Sequence, residues 1–182
     1  MAFRLLLLLC LAAPAWAAEV AGVKIDERAR VADTELSLTG AGLRKRVFFQ
    51  VYAIGLYVQD RKADPISQSG PKRVQIHMLR DVSADTFTEA LADGIKANHS
   101  EAEAKALEPR VKQLGAAIAE LKEAKKGMTI ALDWNGKATQ LLVDGKPAGQ
   151  PIPGEDFYRA LLRIWLGDRP VQDDLKKALL GA

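Results

Sequence analysis

Residues 39–58 read TGAGLRKRVFFQVYAIGLYV. From Arg46 to Val58 the residues are mainly β-branched and aromatic, which is the composition of a long strand. Ahead of it stands Gly40-Ala41-Gly42, which reads as a glycine turn. Arg44 sits between turn and strand, and two readings of it are open. It is a solvated charge at a strand end, or it is an anion-binding group aimed into a cavity.

Outward from that stretch, the pattern divides into blocks. Val20, Val23 and Ile25 suggest a first short strand and Glu35–Leu38 a second. After a polar connection over 65–71, residues 73–79 alternate, with Val74, Ile76 and Met78 on one face and Gln75 and His77 on the other. Ser83 is suited to cap a helix over 84–97, whose Phe87, Leu91 and Ile95 recur every four residues. Ser100 with Glu103 forms a capping box opening a short helix, and Glu108-Pro109 is expected to restart it. Strands return over 127–143 around Asn135-Gly136, a hairpin signal, and Asp144-Gly145 ends the second of them. A Pro/Gly segment at 148–154 leads to a helix over 155–166, and Pro170 precedes a last helix containing Leu175 and Leu179. Strands, helices, hairpin, helices: this order predicts one α+β domain with a mostly antiparallel sheet covered by helices.

Residues 1–17 read as a secretory leader. Arg4 precedes an apolar run from Leu5 to Ala13, followed by Pro14 and the small-residue pattern Ala15-Trp16-Ala17. Cleavage is expected after Ala17, with Ala18 as the alternative, leaving a domain over 18–182 in the periplasm or outside the cell. The apolar run falls short of the ~20 residues a spanning helix needs. Cys10 is the only cysteine, and Leu9 before it does not suit lipid attachment. The exported domain therefore has no thiol chemistry, no disulfide and no Cys-ligated metal. The formal charge of +3 falls by one unit with Arg4, and charges of both signs are interspersed. A footprint for nucleic acid is lacking.

Catalytic motifs are equally lacking. His77 alternates with apolar strand residues, and His99 reads as a solvated loop residue; the two share no metal-ligand spacing. No Gly-x-Ser-x-Gly occurs. Asn98-His99-Ser100 matches a glycosylation sequon, a short and unspecific pattern. Asp173-Asp174 is better explained by helix-start electrostatics than by paired-carboxylate chemistry. No cofactor and no metal is implied.

Gly40-Ala-Gly-Leu-Arg44, followed by Val51-Tyr-Ala-Ile-Gly-Leu-Tyr-Val58, resembles the chalcone isomerase superfamily. Segment 73–95 and Ile164-Trp-Leu-Gly167 continue the resemblance. It implies a curved antiparallel sheet under a helical layer, with a ligand cleft between them. The superfamily includes isomerases that close a flavanone ring and relatives that bind fatty acids. By this resemblance the ligand-facing arginine is Arg44, and the isomerase threonine position is Tyr52, where the fatty-acid binders also carry a tyrosine. The remaining polar positions of the isomerases fall on Phe87, Gly94 and Ile164.

Ring closure needs polar groups that hold water and stabilise an enolate. Phe87, Gly94 and Ile164 offer no side-chain hydrogen bond. A guanidinium and a phenol with apolar walls suit a carboxylate with a hydrocarbon tail: Arg44 pairs with the charge and Tyr52 donates a hydrogen bond. Phe87, Leu91, Gly94 and Ile164 are the candidate pocket lining. The reading is thus a non-catalytic binder of a fatty acid or similar amphipathic carboxylate. Two alternatives stand beside it: an isomerase or lyase acting on a small aromatic or enone substrate, and an envelope interaction module with a vestigial cleft. One geometric condition follows. Arg44 and Tyr52 are eight residues apart, ~27 Å along a continuous strand at ~3.3 Å per residue. The chain must turn or bulge between them, near Lys45–Phe48.

Overall fold

A computed structural model describes residues 18–182, and the leader reading of residues 1–17 lies outside them. The N-terminal part is a run of hairpins. Strands β1 (Ala18–Val20) and β2 (Val23–Ile25) pair across Ala21-Gly22, both at positive φ. The single first strand expected from sequence is thus two. β3 (Arg28–Val31) follows, then β4 (Thr34–Arg46) and β5 (Phe49–Val58). β6 (Lys72–Met78) completes this half, and the two-residue β7 (Val82–Ser83) leads into helix α1 (Ala84–Ala97). α2 (Glu101–Ala119) and the short β8 (Glu123–Ala124) come next. Then β9 (Thr129–Trp134), β10 (Ala138–Val143) and β11 (Lys146–Pro153) form a meander, and α3 (Glu155–Leu166) and α4 (Asp173–Leu179) end the chain.

Seven strands make the main sheet, a curled sheet in the order β11-β10-β9-β6-β5-β4-β3 with every neighbouring pair antiparallel. The α+β expectation is met. The helices cover one face, where Ile54, Leu56, Ile76 and Met78 meet Phe87, Leu91, Phe157, Leu161 and Trp165 in the principal core. Each fully buried aliphatic side chain contributes ~1.5–3 kcal/mol there. The strand alternation sends Ala53 and Tyr57 to the opposite face. They join Ile25, Val31 and Leu36 in a smaller cluster under the β1–β2 hairpin.

Three local readings are corrected. Gly40 and Gly42 lie within the 13-residue β4 rather than in a turn. They are small because α4 lies across them: a Cβ on Gly40 would run into the Ala178 carbonyl, and one on Gly42 would stand 2.6 Å from Leu175 Cδ1. The turn comes later, at Val47-Phe48, since Arg46 pairs with Phe49. Pro109 does not restart a helix but rides inside the continuous α2. It is exposed, as is Lys105 one turn before it, so the carbonyl it leaves unbonded faces water. Segment 148–154 is mostly strand: β11 is the outermost strand, the position where prolines cost no ladder bond.

Helix caps follow the sequence closely. Ser83 Oγ accepts from Thr86 N at 3.2 Å, and Ser100 and Glu103 form the full capping box. His99 is not simply a solvated loop residue; its Nδ1 lies 2.8 Å from Ile95 O, adding a second bond to a carbonyl at the end of α1 that also accepts from Asn98 N. The Asn98 side chain is committed as well. It donates to Gly94 O and Arg169 O and accepts from Arg169 N, tying α1 to the loop after α3.

Candidate functional site

Arg44 and Tyr52 are direct cross-strand partners on β4 and β5. The ladder shifts register between Arg44 and Lys45, so the chain both bulges and turns in the interval where sequence required it. Eight residues of chain thus separate two side chains that are neighbours on one sheet.

Arg44 is half-buried, and its Nη1 donates to three neutral oxygens: Lys45 O at 2.8 Å, Val171 O at 3.2 Å and Gln172 Oε1 at 3.2 Å. Among the described residues it forms no ion pair; the six that exist involve other cations. A guanidinium so held is oriented by carbonyl groups without having its charge cancelled.

Gln172 is the residue that fixes this geometry. Its Oε1 also accepts from Lys45 N at 2.8 Å, and its Nε2 donates to Leu43 O at 3.0 Å. The side-chain amide therefore behaves as a short strand laid along the bulged edge of β4. Gln172 also stands at the N-cap position of α4, with its side chain turned to β4 rather than to the helix.

Tyr52 is partly buried against the principal core. Its hydroxyl oxygen accepts from Trp165 Nε1 at 3.0 Å, and Trp165 is only 2% exposed. That bond leaves the phenolic hydrogen free to donate elsewhere. Burial pushes the Tyr52 phenol above its ordinary value, while the Trp165 indole and the Arg44 guanidinium pull it back. At neutral pH the group is a neutral donor beside a cation.

The other four sequence candidates lie behind this pair, in the core. Phe87, Leu91 and Ile164 are buried, and so is Gly94. Gly94 leaves room for a neighbouring side chain: a Cβ there would be 2.7 Å from Ile164 Cγ2. α1 and α3 approach each other through this notch. Phe87, Ile164 and Trp165 occupy the layer between sheet and helices. The two grooves described on the surface lie elsewhere, between α1 and α2 and between α2 and α3, and neither is lined by Arg44 or Tyr52.

Trp165 and Gln172 were not singled out as site residues from sequence. Trp165 carried a signal, since it stands inside the Ile-Trp-Leu-Gly segment of the family resemblance. Gln172 carried none. A polar residue ahead of two aspartates looks like an ordinary helix start, and only the docking of α4 onto β4 brings it to Arg44. Among the described residues, no group of His, Cys, Asp and Glu is arranged to hold a metal.

This architecture, a curled antiparallel sheet under a helical layer with Arg44 and Tyr52 paired at one end, defines an open-faced α+β protein of the chalcone isomerase type. Residues 17–181 match the family model described as chalcone isomerase-like, and the chain belongs to that family. Among solved structures it is similar to a fatty-acid-binding protein of Arabidopsis thaliana. The two share 13% identity and a TM-score of 0.70, over 88% of this chain and 92% of the other. At that identity the likeness concerns the fold. No curated protein matches the chain.

Proposed function

We propose that this protein binds a fatty acid or similar amphipathic carboxylate without catalysing its conversion. The observation that carries the reading is the Arg44–Tyr52 pair. An uncompensated guanidinium, oriented by Gln172 and Val171, stands across the ladder from a phenol whose oxygen is held by Trp165 and whose hydrogen is free. A carboxylate takes a charge-assisted bond from the first and a hydrogen bond from the second. The tail runs between sheet and helices, against Phe87, Leu91, Gly94 and Ile164, and must part the contact between α1 and α3 to do so. The Arabidopsis protein of similar fold is a fatty-acid-binding protein, which supports this ligand class. The leader at 1–17 would deliver the domain to the periplasm or beyond, and intact mass of the exported protein, with Ala18 as its first residue, checks that part.

Native mass spectrometry of protein purified without detergent, with titration of a long-chain fatty acid, tests the binding. Arg44→Ala is expected to weaken affinity about tenfold or more, the value of a hydrogen bond to a charged group. Absence of any bound acyl species, with equal affinity in Arg44→Ala, overturns the reading. The Ile164 side chain seated in the Gly94 notch favours a second reading, an interaction module whose cleft is closed. That reading expects no fatty-acid uptake at all.

A further inference from the structure

The hairpin joining β4 to β5 ends in three consecutive exposed apolar side chains: Val47 at 79%, Phe48 at 94% and Phe49 at 59% exposure. Among the described residues the only other exposed large hydrophobic is Leu180. The requirements of the turn do not explain this tip. A tight hairpin favours Asn or Gly where φ is positive, yet the β-branched Val47 stands there at φ 57°. Folding does not explain it either, because Phe48 packs on almost nothing.

The surroundings of the tip are basic. Lys45 and Arg46 precede it on β4. The Arg80 guanidinium lies 4.5 Å from the centre of the Phe49 ring. Lys125 and Lys126 come from the loop before β9, which reaches the same sheet end: Gly127 N donates to Met78 O, and Leu79 N donates to Val51 O. Two carboxylates lie near these cations: Asp81 accepts from Lys126 N at 2.7 Å, and Asp174, at the start of α4, feels the charge of Lys45.

A protein partner finds little to hold here. β5 is paired on both sides, by β4 and β6, and the outer edge of β4 beside the tip is occupied by Gln172. No strand ladder is therefore on offer, and three side chains on a protruding turn fall far below the ~800 Å² per partner of a stable interface. A bilayer needs neither a ladder nor shape complementarity. It takes aromatic side chains at the boundary between headgroups and acyl chains, and its anionic lipids attract neighbouring lysines and arginines.

We propose that the β4–β5 hairpin docks on an anionic lipid bilayer, with Val47, Phe48 and Phe49 entering the interface and Lys45, Arg46, Arg80 and Lys125 meeting lipid phosphates. Docking would set Arg44, two residues from Arg46, near the membrane. The inference stands apart from the carboxylate reading, and its test contains no free fatty acid.

The test is co-sedimentation of residues 18–182, which hold every described element, with vesicles of phosphatidylcholine with or without phosphatidylglycerol. Binding is expected only with phosphatidylglycerol and weakens as salt screens the cations. The Phe48→Ser/Phe49→Ser variant should lose about tenfold or more in affinity with an unchanged melting temperature. Lys45→Glu/Arg46→Glu should lose the preference for phosphatidylglycerol. In Phe48→Trp the new indole should shift its emission to the blue on those vesicles, over a constant background from the buried Trp134 and Trp165, 4% and 2% exposed. Equal sedimentation of wild type and the double serine variant, or an unmoved spectrum, overturns the proposal. Concentration-dependent self-association without lipid, abolished by Phe48→Ser, also overturns it, in favour of a second copy of the chain.

Discussion

Arg44 and Tyr52 face each other across the β4–β5 ladder, one step before the bulge at Lys45. Each is held from the far end of the chain, Arg44 by Val171 and Gln172 and Tyr52 by Trp165. The site is therefore assembled from the two flanks of one loop, the α3–α4 connection, acting on one hairpin. Its two functional groups are oriented by residues that need not touch a ligand.

That arrangement separates the roles of hydroxyl and ring in Tyr52. Tyr52→Phe keeps the packing but leaves the buried Trp165 N–H without an acceptor, which should cost about 1–3 kcal/mol. Trp165→Phe costs more through lost volume. The double variant should be less destabilised than the two single changes added together, because the orphaned donor is then gone. Urea denaturation of the four proteins measures the coupling, and strict additivity would show that the bond is unimportant.

The two glycines of β4 should respond unequally to alanine. At Gly40 the methyl group meets only backbone, the Ala178 and Leu179 carbonyls, whereas at Gly42 it meets the end of the Leu175 side chain, which can rotate, and the Ala178 Cβ, which moves only with α4. Gly40→Ala is expected to lose about 2–4 kcal/mol, in the range of overpacked cores and undocked elements, and Gly42→Ala less, because part of its clash is with a side chain that can turn. Thermal melts rank them. Undocking α4 also withdraws Gln172, so Gly40→Ala should weaken carboxylate binding as well.

Lys72 offers a stabilising change. Its side chain is completely buried on β6, its Nζ has no hydrogen bond among the described residues, and Glu155 Oε1 stands 3.8 Å away. Glu155 already accepts from Arg159 at 3.0 Å. Burial accordingly draws the Lys72 ammonium below its ordinary value. Lys72→Met keeps the volume and removes a poorly compensated charge, so the melting temperature should hold or rise. A marked fall would mean that the charge is better served than its contacts indicate.

His77 should make stability depend on pH. Burial lowers it below the ordinary value of 6.5, with Asp26 opposing weakly. Its Nε2 sits 3.1 Å from the Gln75 amide nitrogen, an arrangement that suits a neutral ring accepting a bond. The unfolded chain therefore binds a proton more readily than the folded one. The His77 contribution is complete above the unfolded value and declines as pH falls below it. Denaturation midpoints across mildly acidic pH should fall in the wild type and fall less in His77→Gln.

Local chemistry alone determined much of this protein. Alternation placed Val74, Ile76 and Met78 on one face, side-chain caps set the starts of α1 and α2, and four-residue spacing set the core stripe of α1. These are short-range effects, written within a few residues of where they act. The glycine–arginine and aromatic–glycine pattern likewise carried the family, and the eight-residue interval demanded a bend between Arg44 and Tyr52. Tertiary structure decided the rest. Gly40 and Gly42 look like a turn until α4 is laid across them, and Gly94 looks like room for a ligand until Ile164 is seated against it. Trp165 and Gln172 lie 113 and 128 residues from the groups they orient. A glycine records only that something comes close, and a hydrogen bond across such a distance leaves no local trace. What fills the space, and what holds the arginine, is settled when the helices pack.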